Sequence, residues 1–206
     1  MSRILFIRHG HSLSQMQSGM VTGRCPEFPL SDKGREQAKS VAPWLKNYNI
    51  SQMFSSPCKR TVETSKFISK QIGIPFSVED ALTERSHGDF EMKPKEEVYT
   101  PETIKAIHAD QFRWAPPGGE TLEDVAQRLT AFLQQLIAIE KDSCYLCVSH
   151  LMLLWSVFYL STRCDHKILP HLKVENCGLV EINFDTPDKF TLIRWNHLYS
   201  AQDTPL

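Results

Sequence analysis

Apolar positions along the chain follow two rhythms. Four short runs, "RILFI" (3–7), "QMFSS" (52–56), "PFSVE" (75–79) and "CYLCVSH" (144–150), read as strands. Between them the apolar period lengthens to that of a helix. Ala38, Val41, Ala42 and Leu45 recur at helical spacing behind Ser31, a cap residue. "PCKRTVETSKFISKQIG" opens on Pro57 and closes on Gly73, the usual order of helix punctuation. The clearest stripe is Val125, Leu129, Phe132, Leu133 and Leu136, with Thr121 as N-cap and Asp124 in the first turn. "LMLLWSVFYL" (151–160) is apolar all round and predicts a buried helix. "LVEINFD" and "FTLIRWN" alternate about "TPD", the pattern of a hairpin. Residues 84–116 lack strong periodicity and carry Gly88, Pro94, Pro101 and Pro116, so they read as an excursion from the main fold. Strand and helix alternate elsewhere, which predicts an α/β sandwich with a mainly parallel sheet in one domain spanning 1–206.

Composition excludes several classes. A net charge of -1 leaves no footprint for nucleic acid or an anionic membrane, so any anion site must be a local cluster of Arg and Lys. No window approaches the roughly 18 apolar residues of a membrane span. The first apolar segment has neither a basic n-region nor a small-residue cleavage site, so it does not read as a signal peptide. The cysteines (25, 58, 144, 147, 164, 177) are scattered, and strand alternation points Cys144 and Cys147 to opposite faces. Reduced thiols in a cytoplasmic protein are expected, with no zinc site.

The chemistry lies at strand ends. Ile7 runs into Arg8-His9, and Val148 into Ser149-His150. In a parallel sheet, ligands bind beyond the carboxyl ends of the strands, where these two imidazoles would meet. Guanidinium groups match phosphate oxygens, and neutral imidazole is a good nucleophile near neutrality. Arg8, His9, Arg60 and His150 together would suffice to hold and attack a phosphoryl group, a reaction that depends on positioning and charge stabilisation. The helix after Pro57 would aim its N-terminal N–H groups at the same edge.

Several ordered segments carry a family resemblance: "RHG" after the first strand, "PLSDKGREQA", "SSPCKRTVET", "LTERSHGDFE", "PPGGETLEDVAQR" and "VSH" after the fourth strand. The chain resembles the histidine phosphatase superfamily, in its phosphoglycerate mutase-like branch, over roughly residues 3–180. The resemblance implies a three-layer α/β/α sandwich, with the excursion at about 85–116 as a lid. It implies that His9 becomes a phosphohistidine, that Arg8, Arg60 and His150 hold the phosphoryl group, and that Glu84 protonates the leaving oxygen. No metal or other cofactor is implied. Burial would have to raise the Glu84 pKa for that role.

The chain also departs from the family pattern. His11 stands where an acid or amide is usual, Gln15 is the nearest match to a phosphate-side Asn, and Leu151 replaces a Gly or Ala. Ser12 matches a frequent Ser/Thr position. Ser12, Gln15, Thr22, Gly23, Arg24, Leu151 and His11 are therefore the candidate substrate contacts, Arg24 for a second anionic group. His87 reads by default as a loop histidine that can line the mouth. Lys93, Lys95 and Lys105 read as solvated, and Phe90, Phe112 and Trp114 as packing for the excursion.

The segment between the acid and "PGGE" is shorter than in the cofactor-dependent mutases. It lacks their "Y-G-x-L-Q-G-x-N-K" run, which favours hydrolysis over mutase-type transfer. Two further readings compete. One is a zinc hydrolase built on the H-x-H of His9 and His11, opposed by the charge of Arg8 and by a chain short for a (β/α)₈ barrel. The other is a phospho-ligand binding module, which would have no need of Glu84. The expected substrate is a phosphorylated small molecule or a phosphoprotein.

Overall fold

The computed structural model describes residues 2–17, 19–139, 142–186 and 189–199. The strands are β1 (Ser2–Arg8), β2 (Ile50–Ser55), β3 (Phe76–Val78), β4 (Cys144–Ser149), β5 (Leu179–Thr186) and β6 (Lys189–His197). They form one sheet in the order β3-β2-β4-β1-β5-β6. β1 pairs in parallel with β4, and β2 lies in parallel between β3 and β4. β5 runs antiparallel to both of its neighbours. The hairpin connection at 187–188 and the tail at 200–206 lie outside the described residues.

The helices are α1 (Asp32–Leu45), α2 (Lys59–Ile72), α3 (Lys95–Val98), α4 (Pro101–Ala109), α5 (Leu122–Ile139) and α6 (Leu151–Thr162). Ile4 to Ile7 and Tyr145 to Val148 are apolar at every position because both faces of the central strands are covered. Leu5, Ile7, Leu146 and Val148 pack with Ala38, Ala42 and Leu45 of α1 and Ile68 of α2. Ile4, Phe6, Tyr145 and Cys147 pack on the other face with Val125, Leu129 and Leu133 of α5 and Leu153, Leu154 and Val157 of α6. Three layers result. Cys144 packs with the first cluster and Cys147 with the second, on opposite faces as alternation requires. Among the described residues, no helix is long and apolar enough to cross a membrane.

The expected caps are in place. Ser31 Oγ accepts the Gly34 N–H at 3.2 Å. Gly73 closes α2 with φ at 78°. Thr121 and Asp124 bond reciprocally, each backbone N–H donating to the other's side chain at 2.9 Å. α2 starts two residues later than Pro57 suggests: Cys58 keeps an extended backbone as N-cap, so Pro57 lies before the helix.

The excursion is more ordered than its weak periodicity implies. Thr100 caps α4, and Pro101 takes its first position. α4 buries no residue, so it writes no apolar stripe. Phe112 anchors the excursion against Tyr159 of α6, with ring centroids 4.3 Å apart. Phe90 lies between Tyr99 and Trp114 at 6.3 and 6.2 Å. A backbone strap ties the excursion to the loop after β1. Val21 N donates to Lys93 O (3.0 Å), Met92 N to Val21 O (2.7 Å) and Lys95 N to Gly19 O (2.7 Å).

Candidate active site

β1 and β4 end level, with Ile7 opposite Val148 and Arg8 opposite Ser149. The next residue on each strand is a histidine, so the rings of His9 and His150 meet edge to face with centroids 5.2 Å apart. His9 Nδ1 donates to Gly10 O at 2.7 Å, which leaves Nε2 with a free lone pair. Burial, reinforced by Arg60 and Arg8, holds the His9 pKa well below the ordinary imidazole value. His9 is thus neutral.

His150 is fully buried. Arg60 Nη2 approaches its Nδ1 at 3.1 Å, and a guanidinium can only donate. The ring hydrogen therefore sits on Nε2, donated to Ser56 Oγ at 2.8 Å. Burial and then Arg60 hold this imidazole neutral as well. Arg60 comes from the first turn of α2 and also donates to Cys25 O (2.8 Å) and Gly23 O (2.7 Å), fixing the loop that edges the site. Arg8 donates to Val174 O at 2.6 Å, while its Nε is buried without a partner among the described residues. An oxyanion would satisfy that donor.

Glu84 is 9% exposed and enters from the loop after β3. Its Oε1 accepts the Arg85 N–H (2.9 Å) and its Oε2 the Met152 N–H (3.5 Å). Burial raises its pKa against the pull of those N–H groups and of Arg60 and Arg8. Arg24 Nε (3.1 Å) and Arg128 Nη2 (3.2 Å) both hold the Glu84 carbonyl from behind. Glu120 bridges these two cations at 2.7 and 3.1 Å. Neither Glu120 nor Arg128 was a sequence candidate, although both lie in the quoted "PPGGETLEDVAQR" segment.

A cleft of about 330 Å³ opens over Arg8, His9, Arg60 and Glu84. Gln15, Thr22, Gly23 and Leu151 line it, as do His87, Lys95, Tyr99 and Met152. Lys95 is exposed as expected, and the strap places it at the rim. His150 does not line the cleft; it reaches it through Arg60 and His9. A larger cavity of about 640 Å³ lies behind the acid loop among Arg24, Pro26, Cys58 and Arg128, and none of the expected catalytic groups lines it.

Three candidate substrate contacts lie outside the cleft. His11 turns toward α1, where Nδ1 meets Ser31 Oγ at 2.8 Å and its backbone N–H donates to Gln37 Oε1 at 2.9 Å. The Ser31 hydroxyl donates to His11 O at 3.1 Å, so Nδ1 is the donor in the ring contact. His11 thus clamps the loop after β1 to α1. Ser12 is fully buried, with its hydroxyl 2.7 Å from Ser14 Oγ. Arg24 is drawn away by Glu120 and the Glu84 carbonyl. One supporting residue left no sequence signal: Asn176 Nδ2 donates to His9 O (2.9 Å) and to Gln15 Oε1 (3.0 Å). It is a lone Asn in a loop, with no spacing to mark it.

Comparison with known proteins gives a consistent result. The family model described as histidine phosphatase superfamily (branch 1) matches residues 4–198. A glucosyl-3-phosphoglycerate phosphatase of Mycolicibacterium vanbaalenii is 31% identical over 145 residues, which is 68% of this chain and 62% of that protein. A 2,3-bisphosphoglycerate-dependent phosphoglycerate mutase of Cytophaga hutchinsonii is 31% identical over 142 residues, 66% of this chain and 65% of that protein. The matched segment spans less than two thirds of the length of either relative. The solved structure of Bacillus stearothermophilus YhfR shares the fold with a TM-score of 0.85 at 22% identity, covering 97% of this chain and 98% of that one. The chain belongs to branch 1 of the histidine phosphatase superfamily.

Proposed function

We propose that this chain is a phosphatase that hydrolyses a small phosphomonoester through a covalent phosphohistidine at His9. The observation that carries the reading is the free Nε2 lone pair of a neutral, buried His9 between Arg8 and Arg60, with Glu84, whose pKa burial raises, on the same cleft. In the first step His9 Nε2 attacks phosphorus, the ester P–O bond breaks, and the Glu84 carboxyl gives its proton to the leaving oxygen. In the second step water attacks the phosphohistidine, the Glu84 carboxylate takes a proton from that water, and the P–N bond breaks to release phosphate and neutral His9. Arg8 and Arg60 neutralise charge on the equatorial oxygens throughout. His150 positions Arg60 and packs against the nucleophile. The reading calls on no cofactor.

A cleft of about 330 Å³ suits a small metabolite better than a phosphoprotein segment. A single domain carries the site, and the free cysteines accord with a cytoplasmic setting. Hydrolysis is favoured over mutase transfer because the segment between Glu84 and Glu120 is short, leaving little to retain a bisphosphate. The test is alkaline quenching during turnover of an aryl phosphate, followed by peptide mapping. Phosphate on His9 is expected, with turnover abolished in His9→Ala. Label on another residue, or full turnover in that variant, would sink the reading.

A further inference from the structure

His87 lies three residues past Glu84 and is used by none of the steps above. It is 6% exposed and lines the cleft. Its side chain makes no hydrogen bond among the described residues, and its Nδ1 is buried without a partner. The Cδ2 edge of the ring packs directly on Gly23, where an added Cβ would overlap Cδ2. Nε2 adjoins Cδ2 on the ring and lies away from Nδ1. With Nδ1 turned inward, Nε2 is the nitrogen on the side of Gly23 and the cleft. An orphaned buried N–H is rarer and costlier than an orphaned acceptor, so the ring hydrogen belongs on Nε2. The backbone beneath is fixed: His87 N donates to Glu91 Oε1 at 3.0 Å, and His87 O accepts from Phe90 N at 3.0 Å. Glu91 Oε1 also takes the Arg24 N–H at 2.9 Å, locking this turn to the loop that carries Gly23.

We propose that His87 is a specificity residue whose Nε2–H donates to a hydroxyl oxygen of the leaving group, selecting small polyol phosphates over plain alkyl phosphates. The inference rests on the phosphatase reading and names the leaving group of that site. Thr22 and Tyr99, on the same cleft, offer hydroxyls that can take the substrate hydrogen in return. Burial and the neighbouring Arg85 lower the His87 pKa to about 4, so the ring stays an uncharged donor, suited to an uncharged oxygen. A site built to bond a hydroxyl rejects the analogue that lacks it, because the buried donor is then left unpaired.

The experiment compares kcat/KM for glycerol 1-phosphate with that for n-propyl phosphate, which has the same carbon chain without the hydroxyls. Wild type, His87→Phe and His87→Gln are assayed with both. The ratio is read, so a smaller folded fraction or a general loss of rate cancels. Wild type is expected to favour glycerol 1-phosphate by about tenfold. His87→Phe should bring the ratio toward one, and His87→Gln, which keeps an N–H donor, should restore part of it. A wild-type ratio near one, or a wild-type ratio retained in His87→Phe, overturns the proposal; if the Phe variant turns over neither substrate, an unchanged or abolished preference in His87→Gln does so. Failure of the phosphatase reading shows separately, as absence of label on His9 in the wild-type protein.

Discussion

Gly10 is where a single methyl group should test how tightly the nucleophile is positioned. The loop after β1 passes so close to α1 that a Cβ on Gly10 would sit 2.5 Å from Gly34 O, with Gly34 C and Cα at 3.1 and 3.2 Å. Real Cβ atoms essentially never come within 3.0 Å of a neighbour, so the loop or the helix must move by about half an ångström. Neither side yields easily. Gly34 lies in the first turn of α1, which is held by the Ser31 cap. Gly10 N is tied to Thr64 Oγ1 at 3.1 Å, and Gly10 O is the acceptor that orients His9 Nδ1. A misplacement of 1 Å at reacting groups can cost about 100-fold in rate, so half of that should cost roughly tenfold. Overpacking of this kind destabilises by about 1–3 kcal/mol. Gly10→Ala is therefore expected to lose about tenfold in kcat on an aryl phosphate and about 1–3 kcal/mol in urea unfolding. Gly19→Ala serves as the control, since a Cβ there meets nothing within 4 Å among the described residues. If the two alanine variants matched in rate and stability, the close-approach argument would be refuted.

Other outcomes follow from the same site. In kcat/KM, which reports the first step alone, Glu84→Gln should lose about 10²–10⁴-fold on an alkyl phosphate and far less on an aryl phosphate, whose leaving group needs no proton; equal losses in kcat/KM would remove Glu84 as the acid. Because burial raises the Glu84 pKa, its contribution to stability is full at acid pH and lost as pH rises through the folded value. Glu84→Gln should then unfold at a higher temperature than wild type at pH 8, with the gap closing toward pH 4; a lower melting temperature at pH 8 would contradict this. His9, His150 and His87 behave in the opposite sense, since burial depresses all three pKa values. Their unfolded forms take up protons below about 6.5, so stability present above that pH is lost as pH falls toward the folded values. Urea midpoints should drop between pH 7.5 and pH 5, and drop less in His87→Phe; equal drops would exclude His87 from the effect. Activity should survive EDTA, and a loss restored by zinc or manganese would count against the phosphohistidine route.

What could be read in advance depended on how locally each feature was determined. β1 and β4 were legible because burial on both faces writes consecutive apolar residues. Arg8, His9 and Arg60 each sit at the end or in the first turn of such an element, so their placement followed from the elements themselves. His11 did not follow. A loop residue can turn either way, and its direction is set by Ser31, 20 residues along the chain. The Arg24 ion pair was illegible for the same reason at longer range, since Glu120 is 96 residues away. His150 follows a legible strand, but its ring is claimed by Arg60 and Ser56 rather than left open to ligand. α4 was missed because a helix with no buried residue has no stripe, although Thr100-Pro101 marks its start.

The strap between residues 19–21 and 92–95 constrains how this protein can change over time. Its bonds run from main chain to main chain, so they are indifferent to which side chains flank them. Point substitutions at its exposed positions, such as Met92 and Lys93, should accumulate with little structural penalty, whereas Val21 is buried. Insertion or deletion of a single residue in either stretch would slip the pairing by one and turn Lys95 from the rim to the opposite side. Length is thus frozen at the strap while its exposed positions stay free. The opposite holds between residues 96 and 111, where α3 buries Val98 and α4 buries nothing. Turns of helix can be added or removed there without disturbing the two anchors, the strap at one end and Phe112 at the other. That gives the lineage a replaceable cassette over a fixed catalytic floor.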